Sequence, residues 1–313
     1  MLSDTAGEDE VDRQLPEGGE IFLDHVGHFV RDPKAAADAL ARAGFSPTPV
    51  SVQVNPDGKG GETPTGTGNV CAMLPRGYVE CLFKTAETPL GHELDKAMER
   101  YSGVHLAAFA VHDAEAAHAR LHGEGFRMRP LVSMQRPVMT EAGRDVAAFT
   151  VVRVERGEMA EGRIQMLTHH TEDAVWQKRW LAHPNGAREL IDVVIAVPDI
   201  AEADARFARF LNRESAATNL GRAFFLNRGG VQLLEAAAFA RILPEIAVPS
   251  LPCIGMVALG VERLEATEGV LISLGNRVTR RERMLIAPFP AELGIGAWLF
   301  VENAADLPWR AHS

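Results

Sequence analysis

IFLDHVGHFVRDPKAAADALARAGF (residues 21–45) carries a phrase that returns three more times along the chain. The copies are GVHLAAFAVHDAEAAHARLHGEGF (103–126), ELIDVVIAVPDIAEADARFARFL (189–211) and CIGMVALGVERLEATEGVLISLG (253–275). Each is an apolar run closing on a valine (Val30, Val111, Val197, Val261), then a polar turn. Apolar residues at i, i+3, i+4 spacing follow, so each copy is a strand feeding an amphipathic helix. Three of the turns carry an aspartate at matching positions (Asp32, Asp113 and Asp199, 81 and 86 residues apart), and the fourth carries Arg263, 64 residues on. Repeats of this length exceed a solenoid unit and suit a β-α-β-β-β module used four times. The expected fold class is α+β, with four βαβββ modules grouped into two halves.

The segments between the copies fill out the modules. In the first, residues 46–54 suit a strand, PDGKGGETPTGTG (56–68) a loop, and VCAMLP (70–75) with YVECLFK (78–84) a hairpin turning on Pro75-Arg76-Gly77. LGHELDKAMERYSG (90–103) has helical periodicity. A second hairpin, RAFFLNRGGVQLLEA (222–236), aligns with the first, placing Gly229 on Gly77 and Gln232 on Glu80. The expected organisation is an acidic disordered lead (1–19), a first domain (20–170), a helical bridge (171–187) and a second domain (188–313). The aromatic and imidazole cluster of the bridge, His169, His170, Trp176, Trp180 and His183, suits packing between the two domains.

Bulk properties narrow the class. At 313 residues, 46% hydrophobic and 24% charged, the chain is of ordinary globular composition. Its net charge of −10 argues against a broad nucleic-acid surface, which needs clustered Lys and Arg. The first twenty residues lack the basic-then-apolar pattern of a signal peptide, and no run of eighteen apolar residues suggests a membrane span. Three cysteines without CxxC spacing suit free thiols, so the expected compartment is the cytoplasm. GKGG (58–61) lacks the strand–loop–helix setting of a phosphate loop.

The order of elements, together with LDHVGHFV (23–30), GNVCAMLPRGYVECL (68–82) and the paired second half, resembles the vicinal oxygen chelate superfamily, and more narrowly its glyoxalase-like and bleomycin-resistance-like proteins. The resemblance implies that two βαβββ modules enclose a cleft holding a divalent metal (Zn, Fe, Mn, Ni or Co), with ligands from the first and fourth strand of each module. Carried over, those positions fall on His25 and Glu80 in the first module, and on Leu106 and Gln165 in the second. His105 lies one residue early, on the wrong face unless a β-bulge restores it. His169 shares the face of Gln165 and is an alternative ligand or substrate contact. Asn69 is placed to bond a substrate at the cleft rim, and His28, on the opposite face from His25, suits a structural role. In the third and fourth modules the corresponding residues are Asp192, Gln232, Gly255 and Trp298 or Leu299, so the second half is expected to have lost any metal.

The function implied is a metalloenzyme acting on a small vicinal-oxygen substrate, of isomerase, lyase or dioxygenase type. Glu80 would be the proton carrier and His25 the metal anchor. The alternative is a metal-free small-molecule-binding protein of the same fold, of the bleomycin-resistance type. The partner expected is a small molecule, with neither nucleic acid nor membrane, in a monomer or homodimer.

Overall fold

The structure is a computed structural model describing residues 13–56, 59 and 61–310. The first module is β1 (Ile21–Phe29), α1 (Pro33–Arg42), β2 (Ser51–Pro56), β3 (Glu62–Met73) and β4 (Tyr78–Lys84); α2 (Pro89–Arg100) follows it. The second is β5 (Gly103–Val111), α3 (Ala114–Gly123), β6 (Val132–Thr140), β7 (Gly143–Arg153) and β8 (Arg163–His169), and a single-turn helix α4 (Glu172–Val175) comes next. The third is β9 (Ala187–Val197), α5 (Ile200–Leu211), β10 (Ala216–Thr218), β11 (Gly221–Phe225) and β12 (Gly230–Glu235), with α6 (Ala236–Ile242) appended. The fourth is β13 (Cys253–Val261), α7 (Leu264–Ser273), β14 (Thr279–Arg281), β15 (Met284–Pro288) and β16 (Ala297–Val301). The fold is the α+β arrangement of four βαβββ modules expected from the repeat.

The repeated aspartates explain where three of the helices start. Asp32, Asp113 and Asp199 are N-caps whose carboxylates accept from backbone N–H groups of the first turn. Arg263 has no such bond. There Glu302 Oε1 accepts from Leu264 N instead, at 2.6 Å.

In each module the first strand runs parallel to the fourth, and the two first strands of a pair run antiparallel: β1 with β5, and β9 with β13. The amino-terminal half closes on itself. Its strand order is β1-β4-β3-β2-β6-β7-β8-β5, with β5 returning to β1 and β2 meeting β6 at Val54 and Gln135. The carboxy-terminal half, β10-β11-β12-β9-β13-β16-β15-β14, stays open. The two halves meet where Val104 of β5 pairs with Ile254 of β13, and where the β3–β4 and β11–β12 hairpins each reach across to the other half.

The interiors of the halves differ. The open half encloses hydrocarbon: Met256, Ile286 and Leu299 pack with Phe239 of α6 and with Trp309. The barrel interior holds Phe29, Tyr78, Leu82, Leu106 and Phe149, and α2 and α4 add Leu94, Met98 and Val175 to it. Polar residues are interspersed there, and they form the site described below.

Several expectations need correction. The segment 56–68 is not all loop, because β3 begins at Glu62 and extends the hairpin to twelve residues. The bridge contains only α4 and a 3-10 turn, Lys178–Trp180. Trp176 is buried in the barrel interior against Tyr78 and His169 rather than between the halves. Of the acidic lead, residues 1–12 lie outside the described residues; Gln14 is buried, its Nε2 donating to Pro75 O at 2.7 Å. Residues 58 and 60 of GKGG also lie outside them. Among the described residues, no helix is long and apolar enough to cross a membrane.

Candidate functional site

The barrel's registers bring the site together in two rows of side chains. In one, Tyr78 stands opposite His25, His25 opposite Ala108, Ala108 opposite Gln165, and Gln165 opposite Arg153, across β4, β1, β5, β8 and β7. In the next, Glu80, Gly27, Leu106 and Arg163 follow one another across β4, β1, β5 and β8. Alternation along each strand turns both rows inward. With Asn69, Gln53 and Arg136 they line an internal cavity of about 40 Å³, room for about three water molecules. Gly27 keeps it open: a Cβ there would stand 3.0 Å from Leu106 Cβ and 3.1 Å from Leu82 Cδ1.

At its centre His25 Nε2 faces Glu80 Oε2 at 3.6 Å. The His25 ring stacks on Tyr78, its centroid 4.4 Å away. The other Glu80 oxygen accepts from Asn69 Nδ2 at 2.7 Å. Behind His25 lies Asp24, at a register irregularity between Leu23 and His25 that lets two successive side chains meet. Its carboxylate accepts from His25 Nδ1 at 2.6 Å and from His169 Nε2 at 2.9 Å. Burial alone would raise the Asp24 pKa, but the charge and hydrogen bonds of His169 and His25 hold it well below the usual carboxylate range. In the neutral ring, the donated Nδ1–H sets the tautomer whose Nε2 lone pair points toward Glu80.

The opposite wall is basic. Arg153 donates from Nε to Gln165 Oε1 at 3.0 Å, and its pKa is pulled down to about 9 by burial and by neighbouring Arg163. Arg163 stands over the Phe29 ring, and its Nη2 lies 3.4 Å from Glu93 Oε2 of α2. Arg136, on β6, is buried and faces the cavity.

The candidate residues thus divide. His25, Glu80, Asn69 and Gln165 line one cavity, and His169 joins them through Asp24. His105 does not line the cavity. The bulge at its position exists, since Gly27 pairs with Leu106 and His28 with Val104. Yet the ring stacks on Tyr101 at 4.0 Å and donates from Nε2 to Tyr101 O. His28 donates to Leu293 O at 2.9 Å and packs on Phe289 and Trp298, a structural position joining the halves. Asp24, Tyr78, Arg136, Arg153 and Arg163 were not singled out from sequence. For Asp24 and the arginines the available signal was a charge inside an apolar strand, the same signal that marked Glu80.

A divalent metal does not fit these residues. His25 and Glu80 offer two donors, Leu106 fills the place of a third, and the Gln165 oxygen is engaged by Arg153. Among the described residues no three His, Cys, Asp or Glu side chains are grouped to hold an ion. Three guanidinium groups on the same wall would repel a dication. In the other half Asp192 accepts from Trp309 Nε1 and from Arg310, and Gly255 lies against Phe239.

No curated protein matches the sequence. Solved structures share the fold at low identity. A hypothetical protein from Staphylococcus aureus matches with TM-score 0.58 at 10% identity, over 90% of this chain and 98% of its own. A mutant of 4-hydroxymandelate synthase from Streptomyces coelicolor matches with TM-score 0.55 at 11% identity, over 93% and 98%. A fusion of a xylose isomerase-like TIM barrel with 4-hydroxyphenylpyruvate dioxygenase matches with TM-score 0.52 at 11% identity, over 96% of this chain and 52% of that one. The family model described as Glyoxalase-like domain matches residues 23–211, a span that runs from within β1 through β8 to the end of α5. With the paired modules and their enclosed cavity, that match makes the chain a member of the glyoxalase-like domain family.

Proposed function

We propose that this chain is an enzyme of the vicinal oxygen chelate superfamily whose amino-terminal barrel moves a proton on a small oxygenated substrate. The observation that supports this reading is the approach of His25 Nε2 to Glu80 Oε2, 3.6 Å apart on the wall of a buried cavity. That gap is too long for a direct hydrogen bond, and a substrate C–H or O–H has two basic atoms to meet there. Asp24 orients the imidazole as the carboxylate of a nucleophile–base–orienter triad does in acyl-transfer sites. His25 takes a proton from a carbon next to a carbonyl, and the electron pair passes to the carbonyl oxygen. Glu80 passes the proton of the neighbouring hydroxyl to the former carbonyl oxygen; reprotonation at the former carbonyl carbon then completes an isomerisation, and reprotonation at the original carbon exchanges its hydrogen with solvent. The arginines of the facing wall supply the positive charge against which the oxyanion forms.

The test is solvent-deuterium incorporation into small hydroxycarbonyl compounds, followed by proton NMR. Exchange that falls about 10²–10⁴-fold in both His25→Asn and Glu80→Gln supports the reading; its absence for every compound overturns it. A binding protein of the same fold is the second reading, favoured by the hydrogen bonds that already occupy Glu80 and Gln165. Ligand binding without exchange would select it.

A further inference from the structure

Arg136 and Arg153 are both at least nine-tenths buried, at 6% and 9% exposure, and both line the barrel cavity. Among the described residues neither has a carboxylate partner. Arg153 bonds only the neutral Gln165 and lies 3.4 Å from Met134 Sδ. Among the described residues the Arg136 side chain makes no hydrogen bond or ion pair. Arg163, by contrast, has a carboxylate neighbour in Glu93, which also pairs with Arg129 and Arg156. The cavity therefore sets two guanidinium groups against a single carboxylate, Glu80. A buried cation without a counter-charge is costly, so the lining favours an anionic guest. A polar atom also stands idle: with its nitrogen turned to Glu80, Asn69 keeps a buried Oδ1 without a partner. Such an acceptor needs a donor, and a hydroxyl supplies one. The outer approach has the same sign. A cavity of about 270 Å³ shares Arg153 and Arg163 with the inner one and is lined by Lys96, Arg100, Arg129 and Arg156, with Glu93 and Glu155 the acidic residues among its lining.

From these placements we infer that the barrel's ligand is a small hydroxylated monocarboxylate, its carboxylate held by Arg136 and Arg153 and its hydroxyl donating to Asn69. The inference rests on the barrel cavity being the substrate site, as proposed above, and names the class of compound that enters it.

The test is calorimetric titration and thermal shift of the full chain with glycolate and lactate, at fixed ionic strength. The neutral analogue lactamide and inorganic phosphate serve as controls. The expected result is binding of glycolate or lactate at least about tenfold tighter than lactamide or phosphate. Arg136→Gln lowers that affinity by about tenfold or more, and Arg136→Lys, keeping charge without the fork, lowers it less. Ligand-free Arg136→Gln melts no lower than the parent, because the residue removed was an uncompensated charge. Acid binding by the parent chain without any deuterium exchange leaves this inference standing when the exchange reading fails. Lactamide binding as tightly as lactate, phosphate binding tighter than both acids, unchanged affinity in Arg136→Gln, or no binding by either acid overturns the inference.

Discussion

Asp24 shows how one residue organises the site without lining it. Its carboxylate is buried, yet it accepts from two imidazoles, and those bonds outweigh the burial that would otherwise raise its pKa. An amide in its place has one acceptor instead of two, so Asp24→Asn leaves one imidazole facing an NH2 group. Where that imidazole is His25, the ring shifts to the tautomer with Nε2–H toward Glu80. Deuterium exchange is expected to fall about 10²–10⁴-fold in Asp24→Asn, with the fold retained. Nitrogen-15 spectra of the His25 ring check the tautomer directly, and an unchanged tautomer with unchanged exchange would sink the argument. His25 and Glu80 were legible through the family resemblance, and strand alternation, which sets His25 on the face opposite His28, agreed with it. Asp24 was not, because the same alternation turns it outward and only the local register irregularity brings it back to His25. The arginines were not legible, because nothing in the sequence pairs β2 with β6. Closure of the barrel, through β1 with β5 and through β2 with β6 at Val54 and Gln135, is what internalises Arg136.

At the level of elements, the two hairpins brace the halves reciprocally. Leu74 N bonds Gly77 O, and Leu226 N bonds Gly229 O, both at 3.0 Å. The first turn docks beside β9 through Arg76 and Glu189, and the second beside β1 through Phe22 and Arg228. Both glycines have left-handed φ, 82° and 78°, and a Cβ on Gly229 would come within 2.6 Å of Leu23 Cβ. Gly229→Ala is therefore expected to cost roughly 1–3 kcal/mol, read as a lower urea midpoint with an unchanged slope. Asp199→Ala removes a side-chain cap accepting from Ala201 N and Glu202 N, and should cost about 1 kcal/mol in the same assay. The strands and helices of the repeat were legible because period and turn chemistry agree in each copy. The alignment of Gly77 with Gly229 was legible for the same reason. What was missed is short or sits outside the repeat. β10 and β14 span three residues each, and α6 follows β12 without a break, its apolar residues indistinguishable from an extended strand end. The Thr- and Gly-rich start of β3 carries turn composition but pairs with β2 and β4 all the same.

Across the whole molecule, three neutral imidazoles tie stability to pH. His28 joins β1 to the far half through Leu293 O; His183 accepts from Ser46 N and donates to Met73 O; His105 donates to Tyr101 O beneath α2. Burial pushes each of the three down to about 4, against an ordinary value of 6.5. An unfolded chain takes up these protons near pH 6.5, whereas the folded chain resists until about pH 4. Between those limits the unfolded state binds more protons, so stability rises with pH through the window and is lost as pH falls through it. Above the window these groups contribute no slope. Each is expected to remove on the order of 1 kcal/mol per pH unit of acidification. Urea midpoints measured from pH 7.5 down to 4.5 should therefore drop steeply once below about 6.5. Because His28 spans the halves, His28→Gln, which keeps a donor for Leu293 O and cannot be protonated, should remove about a third of that slope while costing stability at neutral pH. A slope identical to the parent's would mean that the acid sensitivity lies elsewhere, and that the contact between the halves holds unchanged when His28 takes up its proton.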